Sequence, residues 1–561
     1  MAVNNQIMTV DGIPVRLNGE KNLLEVIRKL GIHMPTFCYH KELSIYGACR
    51  LCMVENEWGG MDAACSTVPR AGMNIKTNTE KLRRYRRNIL ELLLADHCRD
   101  CTTCPKSGHC KLQEYAREFG VRNVRFENTS PVPIIDDSSV CITRDAAKCI
   151  MCGSCVRVCS EVQHVGAIDF AHRSSKVTIS TAFNVPIAES PCVGCGQCAA
   201  VCPTGAIVVH DDTNPVWKAL GDPKTTVSVQ VAPAVRVGVG DQLGLDPGTN
   251  VMGKIVAALR KLGFDEIFDT STGADLTVME ETAEFVRRME NGGKLPLITS
   301  CCPAWIQYAE KNFPELLPNI STCRSPMQMF ASILKDRHKN DEKRHVHVAV
   351  MPCTAKKFEA ARDEFKVDGI PNVDYVLTTQ ELVEMIQLAG IDFKSLAPEA
   401  VDLPFPEFSG AGVIFGVTGG VTEAVLRRVS ADKSPAAFTE ITYTGVRGEE
   451  GIKEAVVPFG QDELKIVVAS GLANAEKVMR RVKAGEKIDL IEIMACPGGC
   501  VNGAGQPIVE DDAKAKRGPG LYSADLQTSI RTSDANPLME KLYATCLKDR
   551  EHEMLHVHYD K

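Results

Sequence analysis

The sequence predicts a multidomain protein with an α+β front part and an α/β back part that contains parallel sheets. A chain of 561 residues has room for about three to five domains of roughly 100–200 residues each. Most of the 24 cysteines precede residue 205. From residue 225 onwards, short β-branched runs alternate with helix-length patterns, which indicates parallel sheets. The first of these segments are Val227–Val231, Val251–Leu262, Phe264–Phe268 and Thr277–Asn291.

Composition narrows the classes of function. The formal net charge of -7 is mild for this length and argues against nucleic-acid binding. The first residues lack the basic and apolar regions of a secretory signal, and no stretch approaches the ~18 apolar residues of a membrane span. We therefore expect a cytoplasmic protein that does not enter a membrane. In such a chain, spaced cysteines are expected to bind metals and not to form disulfides.

Residues 1–80 are predicted to form a β-grasp domain. Strand patterns at Gln6–Val10 and Val15–Leu17 precede a helix pattern at Asn22–Gly31. Four spaced cysteines follow: Cys38, Cys49, Cys52 and Cys65. Their spacing suits a 2Fe–2S cluster, with a four-cysteine zinc site as the alternative. The segment resembles the plant-type ferredoxin domain at the front of multi-cluster dehydrogenases.

Residues 81–125 are predicted to hold a 4Fe–4S cluster. A basic helix, Glu80–Leu94, is expected to expose its charged face to solvent. Four candidate ligands follow it: His97, Cys101, Cys104 and Cys110. From spacing alone a zinc knuckle is equally compatible, and Cys98 competes with Cys101. The same arrangement of one His and three Cys resembles that of FeFe hydrogenases and of the large iron–sulfur subunit of respiratory complex I, which favours the cluster.

Residues 138–212 contain a repeated motif in which four cysteines are separated by two, two and three residues. This is the fingerprint of two-cluster bacterial ferredoxins, in which the fourth cysteine of each run binds the other cluster. The predicted ligands of one 4Fe–4S cluster are Cys149, Cys152, Cys155 and Cys202. Those of the second are Cys192, Cys195, Cys198 and Cys159.

The cysteines of the back half follow predicted strands. Leu295–Ser300 precedes Cys301 and Cys302, Val346–Met351 precedes Cys353, and Leu490–Met494 precedes Cys496. Open α/β sheets place their chemistry at the carboxyl ends of such strands. The run from Met494 to Pro507 holds four glycines, two prolines and two thiols. Backbone of this kind can approach a bulky inorganic group closely.

Three motifs in the back half resemble the signatures of FeFe hydrogenases, and they occur in the order of that family. They are Thr299-Ser-Cys-Cys-Pro-Ala-Trp305, Met351-Pro-Cys-Thr-Ala-Lys-Lys-Phe-Glu359 and Met494-Ala-Cys-Pro-Gly-Gly-Cys500. The resemblance implies a two-lobed H-cluster domain at 225–535, followed by a C-terminal tail at 536–561. It also implies an H-cluster whose 4Fe–4S cube is held by Cys302, Cys353, Cys496 and Cys500. Of these, Cys500 would bridge to a diiron centre with CO, cyanide and dithiolate ligands.

The resemblance further implies a path for protons. Cys301 would exchange protons with the dithiolate, and Glu281, Ser321 and Glu284 would extend the path. From the residues alone, Cys301 could be an inert buried thiol. Seen alone, Glu280, Glu281 and Glu284 form an acidic helix turn near Arg287 and Arg288, for which a solvated face with i,i+4 pairs is the default interpretation.

Other residues are assigned to the cofactor by the same resemblance. Lys356 would donate to a cyanide ligand, and Met351 and Met494 would pack around the diiron centre. The remaining cofactor-binding positions are Ala232, Pro233, Ser325 and Pro326. Three positions depart from the family pattern: Ala234 stands where a serine is frequent, Met327 replaces a polar residue, and Cys323 adds a thiol near the proposed proton path. Four cysteines have no predicted cluster role: Cys98, Cys141, Cys323 and Cys546.

The predicted activity is the anaerobic reaction 2H+ + 2e- ⇌ H2, supplied with electrons through one 2Fe–2S and three 4Fe–4S clusters. The alternatives are a non-catalytic hydrogen sensor or iron–sulfur scaffold, and a pure electron-transfer subunit. The front clusters resemble those of NAD(P)-linked, electron-bifurcating hydrogenases. Because the chain has no glycine-rich dinucleotide fingerprint, flavin and nicotinamide chemistry would belong to partner chains. The other expected partners are ferredoxin and the maturation proteins that install the diiron centre.

Overall fold

The computed structural model describes residues 6–127, 135–429, 451–459, 462–509 and 511–559. Contacts divide the chain into two compact units. The first comprises Met1–Val162, Gly166–Ser190 and Val201–Val208, and the second comprises Gln163–Val165, Pro191–Ala200 and Val209–Lys561.

The first unit is built from short strands and few helices. Its strands are β1 (Ile7–Val10), β2 (Ile13–Arg16), β3 (Met53–Asn56), β4 (Met61–Ala63), β5 (Asn74–Lys76), β6 (Ile135–Asp136), β7 (Ile142–Asp145), β8 (Asp169–Ala171), β9 (Thr178–Ser180) and β10 (Ile207–Val209). Its helices are α1 (Leu23–Lys29), α2 (Glu80–Asp96), α3 (Lys111–Glu118) and α4 (Ser154–Arg157).

A mixed five-stranded sheet with the order β2-β1-β5-β3-β4 forms the N-terminal part of the first unit. β1 runs parallel to β5 and antiparallel to β2, and β3 runs antiparallel to both β4 and β5. Leu23, Leu24 and Ile27 on α1 pack into the same core as the sheet. The side chain of Asn22 caps α1 by accepting from the Glu25 amide at 3.0 Å. Gly31 follows the helix with a φ of +73°, which glycine adopts at little cost.

The basic face of α2 is exposed, as predicted, at Lys81, Arg83, Arg84 and Arg87, but one member of the charge run, Arg86, is buried. Its guanidinium donates to the carbonyl of Leu51 at 3.0 Å and to that of Met53 at 2.7 Å. Arg86 therefore satisfies backbone acceptors at the end of the cysteine loop, and a helical charge pattern cannot reveal that partner.

The second unit contains the longer elements. Its strands are β11 (Thr225–Val231), β12 (Glu266–Asp269), β13 (Leu297–Ile298), β14 (Arg344–Met351), β15 (Lys366–Val367), β16 (Ile370–Pro371), β17 (Tyr375–Thr378), β18 (Ile452–Phe459), β19 (Asp462–Ser470) and β20 (Leu490–Met494). Its helices are α5 (Gln197–Ala200), α6 (Thr213–Leu220), α7 (Met252–Leu262), α8 (Ser271–Glu290), α9 (Pro303–Asn312), α10 (Pro326–His338), α11 (Ala355–Ala361), α12 (Thr379–Leu388), α13 (Gly410–Val413), α14 (Gly420–Val429), α15 (Leu472–Lys483), α16 (Asp511–Gln527), α17 (Pro537–Ala544) and α18 (Glu551–Leu555). Among the described residues, no helix has both the length and the apolar character needed to cross a membrane.

Two four-stranded sheets organise the second unit. The first has the order β12-β11-β14-β17, and all its neighbouring strands are parallel. The second has the order β13-β20-β19-β18; β13, β20 and β19 are parallel, while β18 pairs with β19 in antiparallel register. The predicted mixture of α and β structure with parallel sheets is therefore confirmed, with one antiparallel edge strand.

Helices cover these sheets as expected for buried parallel strands. The first sheet shares an apolar core with α7, α10 and α12. The second sheet shares one core with α9 and α15 and another with α8 and α14. Helix α8 begins six residues before the predicted segment, because its first turns are rich in small residues and lack an apolar period. Gly273 permits a close contact there, since an added Cβ would lie 2.2 Å from the carbonyl oxygen of Pro326.

Candidate active site and metal centres

A cavity of about 820 Å³ lies in the second unit, where strands from both sheets end. Its walls include the residues that follow β13, β14 and β20, as the sequence predicted for chemistry at strand ends. Predicted site residues in the lining are Ala232, Pro233, Cys301, Cys302, Pro326, Met351, Cys353, Lys356, Met494, Cys496 and Cys500.

Four thiols predicted to bind iron meet in this cavity. Cys302 immediately precedes α9, and a helix N-terminus favours negative charge on its sulfur. Cys353 precedes α11, while Cys496 and Cys500 lie in the glycine-rich loop after β20. Burial raises the pKa of all four thiols, that of Cys353 to about 12. Thiolates are thus costly here unless a cation compensates them, and soft sulfur donors around an apolar cavity fit an iron–sulfur cluster.

The conformation of the loop after β20 requires glycine. Gly499 has a φ of +97°, and an added Cβ would lie 2.5 Å from the backbone nitrogen of Thr418. A side chain at this position would force the backbone away from the loop Val417–Thr418. Because Cys500 is the next residue, Gly499 fixes where its sulfur lies.

Amide groups donate hydrogen bonds to two of the cysteine sulfurs of the cavity. The Ala495 amide donates to Sγ of Cys302 at 3.4 Å, and the Gln197 side-chain amide donates to Sγ of Cys496 at 3.1 Å. Such bonds adjust the potential of a bound cluster. Gln197 was missed in the sequence. It occupies the position of Ser154 in the first cysteine repeat, and this difference between repeats was the available signal.

The Lys356 ammonium is held in the wall of the cavity by two acceptors. It donates to Glu359 at 2.7 Å and to the carbonyl of Cys301 at 3.2 Å. Burial alone would lower the pKa of Lys356, but the pairing with Glu359 outweighs it and raises the pKa. Ser325 does not line the cavity. Its hydroxyl donates to Glu359 at 3.0 Å and caps α10, so it supports the lysine indirectly.

Apolar side chains form most of the remaining wall. Met351 and Met494 line the cavity, as do Ala234 and Met327, two of the positions that depart from the family pattern. A wall of this kind excludes water and strengthens the electrostatic interactions inside.

Cys301 lines the cavity, and Glu281 is buried close to it. Burial, followed by the charge of Glu281, raises the pKa of Cys301 well above its ordinary value. Burial and the charge of Glu284 raise the pKa of Glu281 to about 8. Neither carboxylate oxygen of Glu281 makes a hydrogen bond of normal geometry, although Ser321 and the Ser300 backbone lie near enough to oppose the rise. Glu281 is therefore a neutral carboxylic acid near pH 7.

Glu284 lies at the centre of a dense group of donors. Its Oε2 accepts from the Ser321 hydroxyl at 3.0 Å and from the Thr322 amide at 3.0 Å. Its Oε1 is paired with Arg288 on the next helical turn. The interpretation of Glu280–Glu284 as a solvated face is wrong, because Glu280, Glu281 and Glu284 are all buried. The i,i+4 spacing of charges predicted the ion pair between Glu284 and Arg288. It did not predict that Glu284 would be buried.

In the first unit, the four cysteines proposed for a 2Fe–2S cluster come together. The Sγ atoms of Cys38 and Cys49 are 3.5 Å apart, and the thiol of Cys65 is within hydrogen-bonding reach of Cys38 and Cys52. All four residues are buried. The Phe37 amide lies 3.4 Å from Sγ of Cys49 and can donate to a sulfur ligand.

The group around His97 is also in the first unit. His97 is buried, its Nδ1 accepts from the Arg99 amide at 3.1 Å, and its Nε2 has no hydrogen-bond partner. Cys104 and Cys101 are near enough to raise the pKa of Cys110, after burial as the main cause. A buried, unpartnered ring nitrogen suits a metal ligand. Because an imidazole that accepts at Nδ1 carries its proton at Nε2, binding of iron at Nε2 would displace that proton.

The two ferredoxin-like repeats divide between the units. Cys149, Cys152, Cys155 and Cys202 line a cavity of about 430 Å³ in the first unit, which is the combination that the repeat predicted. Cys159 also belongs to the first unit, and its Sγ accepts from the Ala167 amide at 3.4 Å. The segment Pro191–Ala200, with Cys192, Cys195 and Cys198, belongs to the second unit. Cys195 lines the large cavity itself.

A close backbone contact fixes the Cys195 loop within the second unit. The Thr354 hydroxyl donates to the carbonyl of Gly194 at 2.7 Å. Gly196 has a φ of +67°, and an added Cβ would lie 2.4 Å from Oγ1 of Thr354. Cys195 and Cys353, from two predicted clusters, are thus carried by loops in direct contact.

The four cysteines without a predicted cluster role occupy different environments. Sγ of Cys98 lies 4.0 Å from Nδ1 of His97, and Cys323 is fully buried with its Sγ 3.9 Å from Glu284. Cys141 is buried in the first unit, and the Cys546 thiol faces the carbonyl of Leu542 at 3.9 Å.

Comparison with protein families gives five matches along the chain. The C-terminal domain of the iron only hydrogenase large subunit matches residues 225–504. In front of it, a 2Fe-2S iron-sulfur cluster binding domain matches 7–80, the NADH-ubiquinone oxidoreductase-G iron-sulfur binding region matches 86–125, and a 4Fe-4S dicluster domain matches 148–206. The iron hydrogenase small subunit matches 511–561, so the resemblance includes the C-terminal tail.

Individual proteins are similar to this chain over most of its length. The NADP-reducing hydrogenase subunit HndD of Solidesulfovibrio fructosivorans is 42% identical over 99% of this chain and 98% of its own length. Iron hydrogenase 1 of Clostridium pasteurianum is 36% identical over 98% of this chain and 99% of its own length. A solved structure of a variant of the FeFe-hydrogenase HydA1 from Chlamydomonas reinhardtii matches with a TM-score of 0.55 and 38% identity, over 62% of this chain and 98% of that one.

The raised pKa of Glu281 predicts a spectroscopic signature. A carboxyl group with a pKa of about 8 stays protonated at neutral pH and ionises as the pH rises through about 8. We expect an infrared C=O band of a protonated carboxylic acid at pH 6–7 that disappears with that midpoint and is absent from Glu281→Gln. The matched control is Glu280→Gln, because hydrogen bonds from His556 and Tyr543 outweigh burial and lower the pKa of Glu280. Loss of the band in this control, or its absence from the unchanged protein, would contradict the assignment.

Proposed function

Because the chain belongs to the FeFe hydrogenase family, we propose that the large cavity holds an H-cluster bound by Cys302, Cys353, Cys496 and Cys500. The observation that carries this proposal is the meeting of these four thiols in a single apolar cavity, whose lining also includes the thiols of Cys301 and Cys195. When bound, the cluster supplies an electron reservoir beside an open iron site at which hydrogen is made or split. Cys500 is the proposed link between the cube and the diiron centre, and it follows Gly499, which fixes its position.

The hydrogenase interpretation is favoured over the non-catalytic ones. A sensor or scaffold would not need a proton donor in the cavity, yet Cys301 lines it next to Cys302. A pure electron-transfer subunit would lack the iron hydrogenase large-subunit domain altogether. The enzyme is an oxidoreductase that acts on H2.

The chain's own residues would move the proton. Cys301 exchanges a proton with the bound cofactor at its thiol, and Glu281 is protonated and buried next in line. Ser321 donates to Glu284, which is the outer acceptor. Neutral thiol, carboxylic acid and hydroxyl groups suit this task because an ion is expensive in a dry site. Lys356, held by Glu359, is the fixed cation proposed to face a cyanide ligand.

Electrons would reach the cavity through accessory clusters. The proposed set is one 2Fe–2S cluster on Cys38, Cys49, Cys52 and Cys65, one 4Fe–4S cluster with His97, and the two clusters of the ferredoxin repeat. The contact between the loops of Cys195 and Cys353 supports direct electron transfer from the last accessory cluster to the cube. The same proposal divides the chain into a β-grasp domain (1–80), a 4Fe–4S segment (81–125), a ferredoxin-like domain (138–212), a two-lobed H-cluster domain (225–535) and a tail (536–561).

The electron partner is proposed to be a flavoprotein that binds NAD(P), together with ferredoxin. Support comes from the similar HndD, which is named as a subunit of an NADP-reducing hydrogenase. The chain itself carries no glycine-rich dinucleotide fingerprint. A cytoplasmic location and dedicated maturation proteins complete the proposal, since a chain in which most of the 24 cysteines are proposed cluster ligands fits a reducing compartment.

Substitution of Cys301, the proposed proton donor, should nearly stop H2 evolution without preventing insertion of the diiron centre. Cys301→Ser replaces the thiol by a hydroxyl that ionises far less readily, so H2 evolution should fall by about 10²-fold or more. The infrared bands of the CO and cyanide ligands should remain, because Cys301 is not a proposed iron ligand. The matched control is Cys546→Ser, a half-buried thiol away from the cavity, which should keep both activity and bands. Retention of full activity in Cys301→Ser would refute the proposed role.

The source of electrons gives a second prediction. The matured chain alone should evolve H2 from a chemically reduced dye but not from NADH or NADPH. Anaerobic purification from the native cell should retain a flavin-containing partner that restores the nicotinamide-dependent reaction. Direct oxidation of NAD(P)H by the isolated chain would overturn this part of the proposal and leave the hydrogenase assignment intact.

A further inference from the structure

Glu284 is the outer end of the proposed proton path, and Arg288 occupies one of its two carboxylate oxygens. Its guanidinium pairs with Oε1 of Glu284 and also donates to the carbonyls of Asn319 and Ile320, at 3.1 and 2.9 Å. An arginine in such a site does not give up its proton. Protons that reach Glu284 therefore need another acceptor, on the side of Oε2.

A continuous row of hydrogen-bonding groups begins at that oxygen. Oγ1 of Thr322 lies 3.1 Å from Oε2 of Glu284 and 2.9 Å from Nδ1 of His556. On the other side of the ring, Nε2 of His556 lies 3.0 Å from Oε2 of Glu280. Tyr543 donates to the second oxygen of Glu280.

We infer that His556 carries protons between Glu284 and solvent, with Thr322 as the intervening hydroxyl and Glu280 as the outer acceptor. The inference rests on the proposed function, because it needs a reaction that delivers protons to Glu284. It adds a branch that the sequence motifs did not indicate and that uses a residue of the C-terminal segment matched to the iron hydrogenase small subunit.

Each step balances as a simple proton relay. Protonated Glu284 gives its proton to Oγ1 of Thr322 while the hydroxyl proton of Thr322 passes to Nδ1 of His556. The Nε2 proton of the same ring passes to Glu280. For H2 evolution the order is reversed, and protons enter from Glu280. No other reactant is needed, since imidazole accepts at one nitrogen while it donates from the other.

The surroundings of His556 fit a route to solvent. Its ring stacks on the exposed His552, with centroids 5.3 Å apart, and His552 is 5.5 Å from the exposed His558. Other charged or titratable groups that act on this row are Arg287 and Arg428 near Glu280, Cys323 near Glu284, and Arg324, which donates to the His556 carbonyl. The stacked rings place His556 one side chain away from the surface. Glu280, the outer acceptor, exposes 11% of its side chain to solvent.

Backbone hydrogen bonds hold the segment that carries Thr322 beside the segment that carries His556. The Val557 amide donates to the carbonyl of Thr322 at 2.7 Å, and the Arg324 amide donates to that of Leu555 at 2.8 Å. Cys323 and His556 form a β-bridge between these two bonds. The backbone of His556 is therefore held without help from its side chain, and substitution of His556 should leave the segment in place.

The test uses the matured full-length enzyme and H2 evolution from a reduced dye. His556→Ala should lower turnover by about tenfold or more and raise the solvent isotope effect, since proton transfer becomes limiting. Added imidazole should restore part of the rate. The infrared bands of CO and cyanide should stay unchanged. The matched control is His338→Gln, which alters a buried histidine bonded to Glu266 and Asp341 and away from this row, and should keep the rate.

Two variants of Thr322 keep the inference testable even if His556→Ala fails to fold. Thr322→Val removes the hydroxyl at nearly constant volume and should resemble His556→Ala, whereas Thr322→Ser should keep turnover within about twofold. If His556→Ala loses the infrared bands, the comparison of turnover between Thr322→Val and Thr322→Ser tests the inference instead. Unchanged turnover and isotope effect in both His556→Ala and Thr322→Val would overturn the inference and leave the hydrogenase function standing. Absence of H2 evolution and of the bands from the unsubstituted enzyme would instead refute the function itself.

Discussion

The cost of placing charge in a dry cavity governs the structure of the second unit. Six thiols line an apolar space, and the Lys356 ammonium group and the Glu281 carboxyl group lie in or beside it; none of these groups would be stable alone in its charged form. The fold meets this cost in three ways. Lys356 is paired with Glu359, the sulfurs of Cys302 and Cys496 receive hydrogen bonds, and Glu281 remains protonated. A bound iron–sulfur cluster would compensate the charge of the thiolates.

The same constraint explains why so much backbone converges on the cavity. Strand ends from two sheets bring Cys302, Cys353 and Cys496 to one place, so no single element has to supply the whole ligand set. The glycine-rich loop then adds Cys500 at a position that only glycine at 499 permits. On this arrangement, Cys496 would anchor the cube alone, while Cys500 would join it to the reactive irons. Electron storage and hydrogen chemistry would meet at a single sulfur.

Much of this site could be predicted from the sequence, because cysteine spacing and strand periodicity are local signals. The strands before Cys353 and Cys496 were predicted to within two residues, and the pairing of Cys202 with the first cysteine repeat followed from the repeat itself. The missed features depend on contacts between distant residues. Gln197 donates to Cys496, Arg86 to the Cys49 loop, and His556 contacts Glu280 across 276 residues. Such polar contacts have no periodicity in the sequence, and only Gln197 left a signal there, through its difference from Ser154 in the first cysteine repeat.

The most direct test of the account is infrared spectroscopy of the matured protein, followed by an H2-evolution assay on the same sample with a reduced dye. The account predicts bands of iron-bound CO and cyanide together with sustained H2 evolution. It also predicts that Cys500→Ser loses both while the accessory iron–sulfur clusters of the first unit keep their spectra. A matured protein without CO and cyanide bands, or with bands but no turnover, would contradict the central claim that this cavity holds a catalytic H-cluster.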